Sequence, residues 1–245
     1  MNTTGYVLRF TLIMTCLVAV VLAGMFYATE PIAKTAEAVF NKRAILSAVD
    51  THLPKPQAEM TDQEVLELFE NKMEQRVVDM NGNLVEDKTA EKVDMAQEEK
   101  KPVDDRLLPF YVYTDAEGNP YYILSVRGSG LWDKIWGNIS LESDLRTIAG
   151  ASFDHKGETP GLGAEIKDNP AFAAQFIGKT IYDKDGEYTA VSVVKGAIKE
   201  PNHQVDGISG ATITGNGVNE MLWRGIKYYE PYLDKLENKN QTGMK

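Results

Sequence analysis

Twenty consecutive uncharged residues, Phe10 to Thr29 (FTLIMTCLVAVVLAGMFYAT), constrain this chain more than any other feature. As a helix they reach about 30 Å, the thickness of a bilayer's hydrocarbon core, where a lone segment satisfies its backbone only as a helix. The run is longer than the apolar stretch of a cleaved signal peptide, and no Ala-x-Ala-like pattern closes it. Tyr6 and Tyr27 suit the two interfaces. We expect one uncleaved transmembrane helix over residues 10–29, in contact with membrane lipid. Arg9 precedes the span and Lys34, Lys42 and Arg43 follow it, a count that leans towards a cytoplasmic placement of the rest.

The remainder of the 245 residues is enough for one globular domain. Of the net charge of −10, residues 50–105 hold nearly all, with 16 Asp/Glu against 7 Lys/Arg, whereas residues 106–245 carry 18 against 15. An acidic chain with no basic run has no electrostatic footprint for nucleic acid. The single cysteine, Cys16, lies inside the apolar run, so the rest has no disulfide, thiolate metal site or cysteine nucleophile. His52, His155 and His203 show no ligand spacing, and we expect no metal site.

Residues 30–53 place Ile32, Ala36, Val39, Phe40, Ala44 and Leu46 at helical spacing, so the helix should continue beyond the membrane and stop before Pro54. Thr61 followed by Glu64 forms a capping box for a short helix with Leu66, Phe69 and Met73 on one face. Residues 79–105 are acidic, lack aromatics and read as a solvated excursion. From Leu107 a β-hairpin is expected, turning at Asp115–Pro120, with further strands at Arg146–Phe153 and Tyr188–Val194. Asn169-Pro170 opens a short capped helix. From about Gly217 to Leu236, Val218, Met221, Leu222, Ile226 and Tyr229 share one face of a last helix, bent or broken at Pro231. The class is α+β: an antiparallel sheet with flanking helices, preceded by one transmembrane helix. The expected layout is a tail (1–9), the span (10–29), a helical and acidic connecting region (30–106), one domain (107–237) and a second tail (238–245).

Three glycine-containing segments follow in order: RGSGLWDKIWG (127–137), HKGETPGLGAE (155–165) and VDGISGATITGNGV (205–218). Singly, each reads as a turn. The third has a logic of its own. Ser209, Gly210 and Ala211 are small enough for a group to approach the backbone, and Thr212 and Thr214 offer hydroxyls just ahead of the last helix. The free N–H groups and partial positive charge of a helix N-terminus stabilise a phosphate. Thr212 reads equally as a helix N-cap, a role Thr214 would also serve.

Asp206-Gly207-Ile208-Ser209-Gly210-Ala211-Thr212 resembles the flavinylation motif of FMN-binding domains, in which a flavin transferase moves FMN from FAD onto the final threonine. HKGETPGLG and GSGLW resemble the two other signatures of that domain, and the apolar N-terminus followed by NKRAILSAV resembles the C subunit of the sodium-translocating NADH:quinone reductases (Nqr complexes). The G subunit of Rnf electron-transport complexes is the related alternative. The resemblance covers the anchor, residues 39–49 and most of 107–230.

The resemblance implies FMN bound covalently, as a phosphoester, to Thr212. Glu158 and Thr159 would contact the flavin through polar groups, Leu162 would lie against the ring and Trp132 beside it, and Gly163 would belong to the cofactor site. Lys195 would approach the flavin and favour its reduced, anionic form, although Ala197 replaces the second glycine often found after that lysine. Ser209, Gly210, Ala211 and Thr214 would complete the site, and Asp206 would hydrogen-bond the loop or help hold a metal-bound transferase substrate. Trp132 reads equally as core packing, and Lys195 as an ordinary strand-end cation. The resemblance also implies an inner-membrane subunit, the globular part periplasmic, that relays electrons among other subunits of a complex coupling NADH oxidation by quinone to sodium export. It would have no catalytic residues of its own. A non-redox module using the same fold, and a stand-alone flavin reductase, are the rival readings. No Rossmann fingerprint is present to bind NADH.

Overall fold

The computed structural model describes residues 3–243, with side chains described as far as Lys239. Two compact units emerge, Met1–Asn41 and Lys42–Lys245. Helix α1 (Thr3–Leu46) contains the apolar span and is the one described helix long and apolar enough to cross a membrane. It gives way to a 3-10 turn at Ser47–His52 and ends ahead of Pro54 as expected. The predicted apolar stripe is only partly realised: Ile32 and Phe40 are exposed, while Leu46 is buried.

In the second unit α2 (Asp62–Lys72) starts on the anticipated capping box: Thr61 accepts from the Glu64 N–H, and the Glu64 carboxylate accepts from the Thr61 N–H. Its buried residues are Val65 and Phe69. The chain then enters a five-stranded antiparallel sheet in sequential order: β1 (Met73–Asp79), β2 (Leu107–Thr114), β3 (Pro120–Ser129), β4 (Lys134–Leu141) and β5 (Ile148–His155). The predicted hairpin is β2–β3, with Thr114 opposite Pro120. Two strands of this sheet are unforeseen from the sequence. β1 lies in the segment expected to be connecting, and β4 hides behind the glycines of the first loop.

Residues 79–105 are not merely a wet excursion. They carry α3 (Met95–Glu98) between two 3-10 turns, and they are tied down by charge. Glu98 is buried, bonded to Lys101 and to the Leu107 N–H, while Glu99 pairs with Lys134 at 2.7 Å and Arg127 at 3.4 Å. Burial raises the Glu99 pKa, but Lys134 and Arg127 more than offset it and hold the group below its usual value. Glu91 forms an ion pair with Lys42, whose ammonium also lies 4.2 Å from the Phe69 ring.

Two short helices, α4 (Glu165–Asp168) and α5 (Pro170–Ala174), follow the sheet, the latter capped by the Asn169 side chain as the Asn-Pro pair predicts. A two-stranded parallel pair, β6 (Ser192–Val194) and β7 (Gln204–Asp206), precedes α6 (Thr212–Lys227) and α7 (Glu230–Gly243). The helix break falls just before Pro231, which sits in the first turn of α7. The predicted face of the last helix is the real one: Val218, Met221, Leu222, Ile226 and Tyr229 are all at most 1% exposed. They pack on the sheet face formed by Phe110, Leu124, Val126, Ile135 and Ile139.

The opposite face of the sheet holds polar residues that serve carbonyls of the segment after the anchor. Asn138 Nδ2 and Ser152 Oγ donate to the Ala44 carbonyl at 3.1 and 2.7 Å, and Ser140 Oγ donates to that of Ala48. Both carbonyls lie where α1 gives way to the 3-10 turn, and they supply partners for the buried polar residues of mid-strand.

Candidate functional site

The three glycine-containing loops meet where β3, β5 and β7 run out. The first leaves β3 at Gly128–Ser129, the second follows His155 at the end of β5, and the third joins β7 to α6. Glu158 fastens all three. One carboxylate oxygen accepts from the amides of Trp132 (2.9 Å) and Asp133 (3.4 Å), and the other accepts from the Thr214 hydroxyl at 2.6 Å. Glu158 is 4% and Thr214 1% exposed. Burial alone raises the Glu158 pKa. The bonds from Thr214 and from the amides of Trp132, Asp133 and Leu131 outweigh it and hold the carboxyl below its ordinary value, so it is ionised at neutral pH. The Glu158 amide donates to His155 Nδ1 at 3.2 Å. Gly163 is required by this arrangement, because a Cβ there would overlap both the Glu158 carboxylate and the Thr214 hydroxyl.

Trp132 does not belong to the core. It is 69% exposed, and its indole Nε1–H donates to Thr159 Oγ1 at 3.0 Å, which orients the ring over the second loop. Leu162, 41% exposed, bears on the third loop: a Cβ on Gly210 would lie 2.7 Å from its Cδ2, and Gly210 also has φ of +79°. Only glycine meets both conditions at that position without strain.

Thr212 is the first residue of α6 rather than a residue ahead of it. Ala211 occupies the cap position and no side chain caps the helix, so neither Thr212 nor Thr214 is an N-cap. The first intrahelical bond runs from the Gly215 N–H to the Ala211 carbonyl, leaving the amides of the first turn directed outward. Thr214 turns inward to Glu158, whereas Thr212 is exposed. Thr212 lines an open cleft of about 340 Å³ with Ser209, Gly210 and Ala211. Its other wall is the end of β6, with Val194, Lys195 and Gly196, and Asp206 lies along it. Lys195 is exposed at this cleft.

All the residues singled out in the sequence therefore gather in one region, with a division among them. Thr212, Lys195, Ser209, Gly210 and Ala211 line the cleft. Trp132, Thr159 and Leu162 are exposed on the first and second loops, and Glu158, Gly163 and Thr214 are the buried fastening between the loops. Sequence reasoning missed His155 and Asn219. Asn219 bonds both the N–H and the carbonyl of Val193 in β6, and its signal was a polar residue two turns after Thr212.

The residues fit FMN. The uncapped start of a 16-residue helix suits a phosphate, the loop beside it is made of small residues, and exposed apolar side chains, Trp132 and Leu162, stand on the neighbouring loops. Residues 130–227 match the FMN-binding domain family. The C subunit of the Na(+)-translocating NADH-quinone reductase of Pseudomonas aeruginosa is 34% identical over 90% of this chain and 92% of its own length. That of Vibrio anguillarum is 36% identical over 71% of this chain and 75% of its own. The crystal structure of the C subunit from Parabacteroides distasonis superposes with a TM-score of 0.71 at 35% identity, covering 82% of this chain and 95% of that one. The NqrC structure from Shewanella oneidensis gives 0.70 at 26% identity, over 84% and 99%. These likenesses run through most of the length of the relatives, and the chain belongs to the NqrC family, the C subunits of the Na(+)-translocating NADH-quinone reductases, which are parts of an oxidoreductase complex.

Proposed function

We propose that this subunit relays electrons through FMN esterified by its phosphate to Thr212. The observation that carries the reading is the position of that hydroxyl. It is the exposed threonine oxygen at the open cleft, on the first residue of an uncapped helix, whereas Thr214 two residues on is buried against Glu158. In maturation by a flavin transferase, Thr212 Oγ would bond to the flavin-side phosphorus of FAD as the P–O bond to the adenylate breaks. The adenylate leaves as AMP, and the hydroxyl proton passes to a base of the transferase. The first-turn amides of α6 then neutralise the phosphoester's charge.

FMN supplies reversible electron storage at its ring. The chain holds and orients it. Trp132 and Leu162 would cover part of the ring and exclude some water. Lys195 places a positive charge on the cleft wall, which favours the reduced, anionic form. Glu158 and Thr214, both buried and bonded to each other, would position the loops around the flavin. A covalent tether suits a carrier that works at a boundary between subunits, because an exposed cofactor then cannot dissociate between encounters. Its partners would be neighbouring subunits of the complex.

The globular unit would lie on the periplasmic side, anchored through residues 10–29. The basic residues that weigh against this are engaged within the fold: Lys34 pairs with Glu30, Lys42 with Glu91, and Arg43 with Asp62 and the carbonyls of Gln57 and Met60. An alkaline phosphatase fused to the C-terminus should be active, and an inactive fusion would exclude the periplasm. For the flavin, the mature protein should fluoresce in a denaturing gel and Thr212→Val should not. Equal fluorescence of the two would place the attachment elsewhere.

A further inference from the structure

We infer that Asn219 is a positioning residue that sets the width of the cleft between Thr212 and Lys195, and so how far the flavin is open to water; this rests on the function proposed above. Among the described residues β6 and β7 form a pair of only two strands, so one edge of β6 has no strand beside it. On that edge the peptide groups of Val193 are bonded by one side chain. Asn219 Oδ1 accepts from the Val193 N–H at 2.5 Å, and Asn219 Nδ2 donates to the Val193 carbonyl at 2.9 Å. A primary amide presents an acceptor and a donor at the spacing of a strand's peptide, so Asn219 acts as a one-residue substitute for the missing neighbour.

The consequence follows from where the two partners sit. Asn219 is seven residues after Thr212, two turns along α6 and on nearly the same face. Gly215, between them on that face, has no side chain, and a Cβ there would come no closer than 3.5 Å to Val193. That is ordinary van der Waals distance, so the first turn of α6 runs close beside the end of β6, Val193 and Gly215 both line the cleft, and Asn219 bonds the strand one turn beyond Gly215. Val193 is two residues before Lys195, and the Gly207 N–H donates to the Val194 carbonyl at 2.9 Å, which joins the third loop to the same strand. Removing the Asn219 amide frees the wall that carries Lys195 from the helix that carries Thr212. No other side chain bonds Val193 among the described residues.

The test compares flavinylated, full-length wild type with Asn219→Leu, which keeps side-chain size and removes both bonds, and with Glu220→Ala as a control. Glu220 is on the same helix but pairs at the surface with Arg224. Two readouts are taken: exchange of the Val193 amide hydrogen, and iodide quenching of flavin fluorescence. In Asn219→Leu the Val193 amide should exchange about tenfold or more faster and quenching should steepen, with the covalent flavin retained. In Glu220→Ala neither should change. If Asn219→Leu matches the control in both, Asn219 does not set the cleft. If that variant fails to fold, the wild type still decides, because its Val193 amide must be protected despite lying on an open strand edge, and free exchange there overturns the inference. A wild type without bound flavin would instead strike at the proposed function, so the two failures are distinguishable.

Discussion

Replacing Glu158 by Gln removes the charge at the centre of the site while keeping its shape. The wild-type carboxylate only accepts: from the Trp132 amide, the Asp133 amide and the Thr214 hydroxyl. A Gln side chain can keep its oxygen on the two amides, but it then turns an N–H towards Thr214, whose hydroxyl hydrogen loses its acceptor in a buried place. The loss is one charge-assisted bond and one orphaned buried donor, together about 2–3 kcal/mol. In a folded unit of roughly 200 residues each kcal/mol lowers Tm by about 2–4 °C, so Glu158→Gln should melt about 5–10 °C below wild type at pH 7. The folded-state pKa of Glu158 is depressed, so its contribution is complete above the unfolded value, about 4.3, and is lost as pH falls through the folded value. The gap between the two melting curves should accordingly close below about pH 4. Circular dichroism melts of the detergent-solubilised full chain between pH 7 and pH 3 measure this. Adding Thr214→Val to Glu158→Gln should cost about 1–2 kcal/mol less than the two changes separately, because they remove the same bond. A loss under about 0.5 kcal/mol, or a gap independent of pH, would refute the reasoning.

Three further substitutions separate fold from site. Gly217→Ala drives a Cβ into the Ser129 carbonyl, pushing α6 off β3, and should cost about 1–3 kcal/mol by chemical denaturation. Thr61→Ala removes the capping box of α2 and should cost about 1 kcal/mol in the same assay without altering flavin content. Trp132→Ala, at an exposed position, should change stability by no more than about 0.5 kcal/mol yet alter the fluorescence of bound flavin if the indole covers the ring as proposed.

What is legible in the chain is what local chemistry dictates. The apolar span, the Thr61–Glu64 box, the Asn169 cap, the β2–β3 turn and the buried face of α6 each depend on residues a few positions apart. The pattern puts the start of α6 near Gly217 instead of Thr212 because Gly215 and Gly217 look like helix breakers. In the fold Gly217 is there for close contact with Ser129, and tertiary packing overrides its poor propensity. β4 escapes notice because Asn138 and Ser140 spoil its apolar pattern, and their partners, Ala44 and Ala48, are about ninety residues away. The 79–105 segment looks solvated because nothing in it reveals that Glu98 and Glu99 meet Leu107, Arg127 and Lys134. At the site, composition and order bring out the three loops. Nothing local shows that Glu158 turns inward to fasten them, or that Thr212 and Thr214 face opposite ways.

The most direct test of the central claim is the mass of the peptide that spans Ser209, Thr212 and Thr214, cut from protein matured alongside a flavin transferase and fragmented to locate the modification. The phosphoester account predicts a gain equal to FMN less one water, carried on Thr212. An unmodified peptide, or the gain found on Ser209 or Thr214, would contradict it.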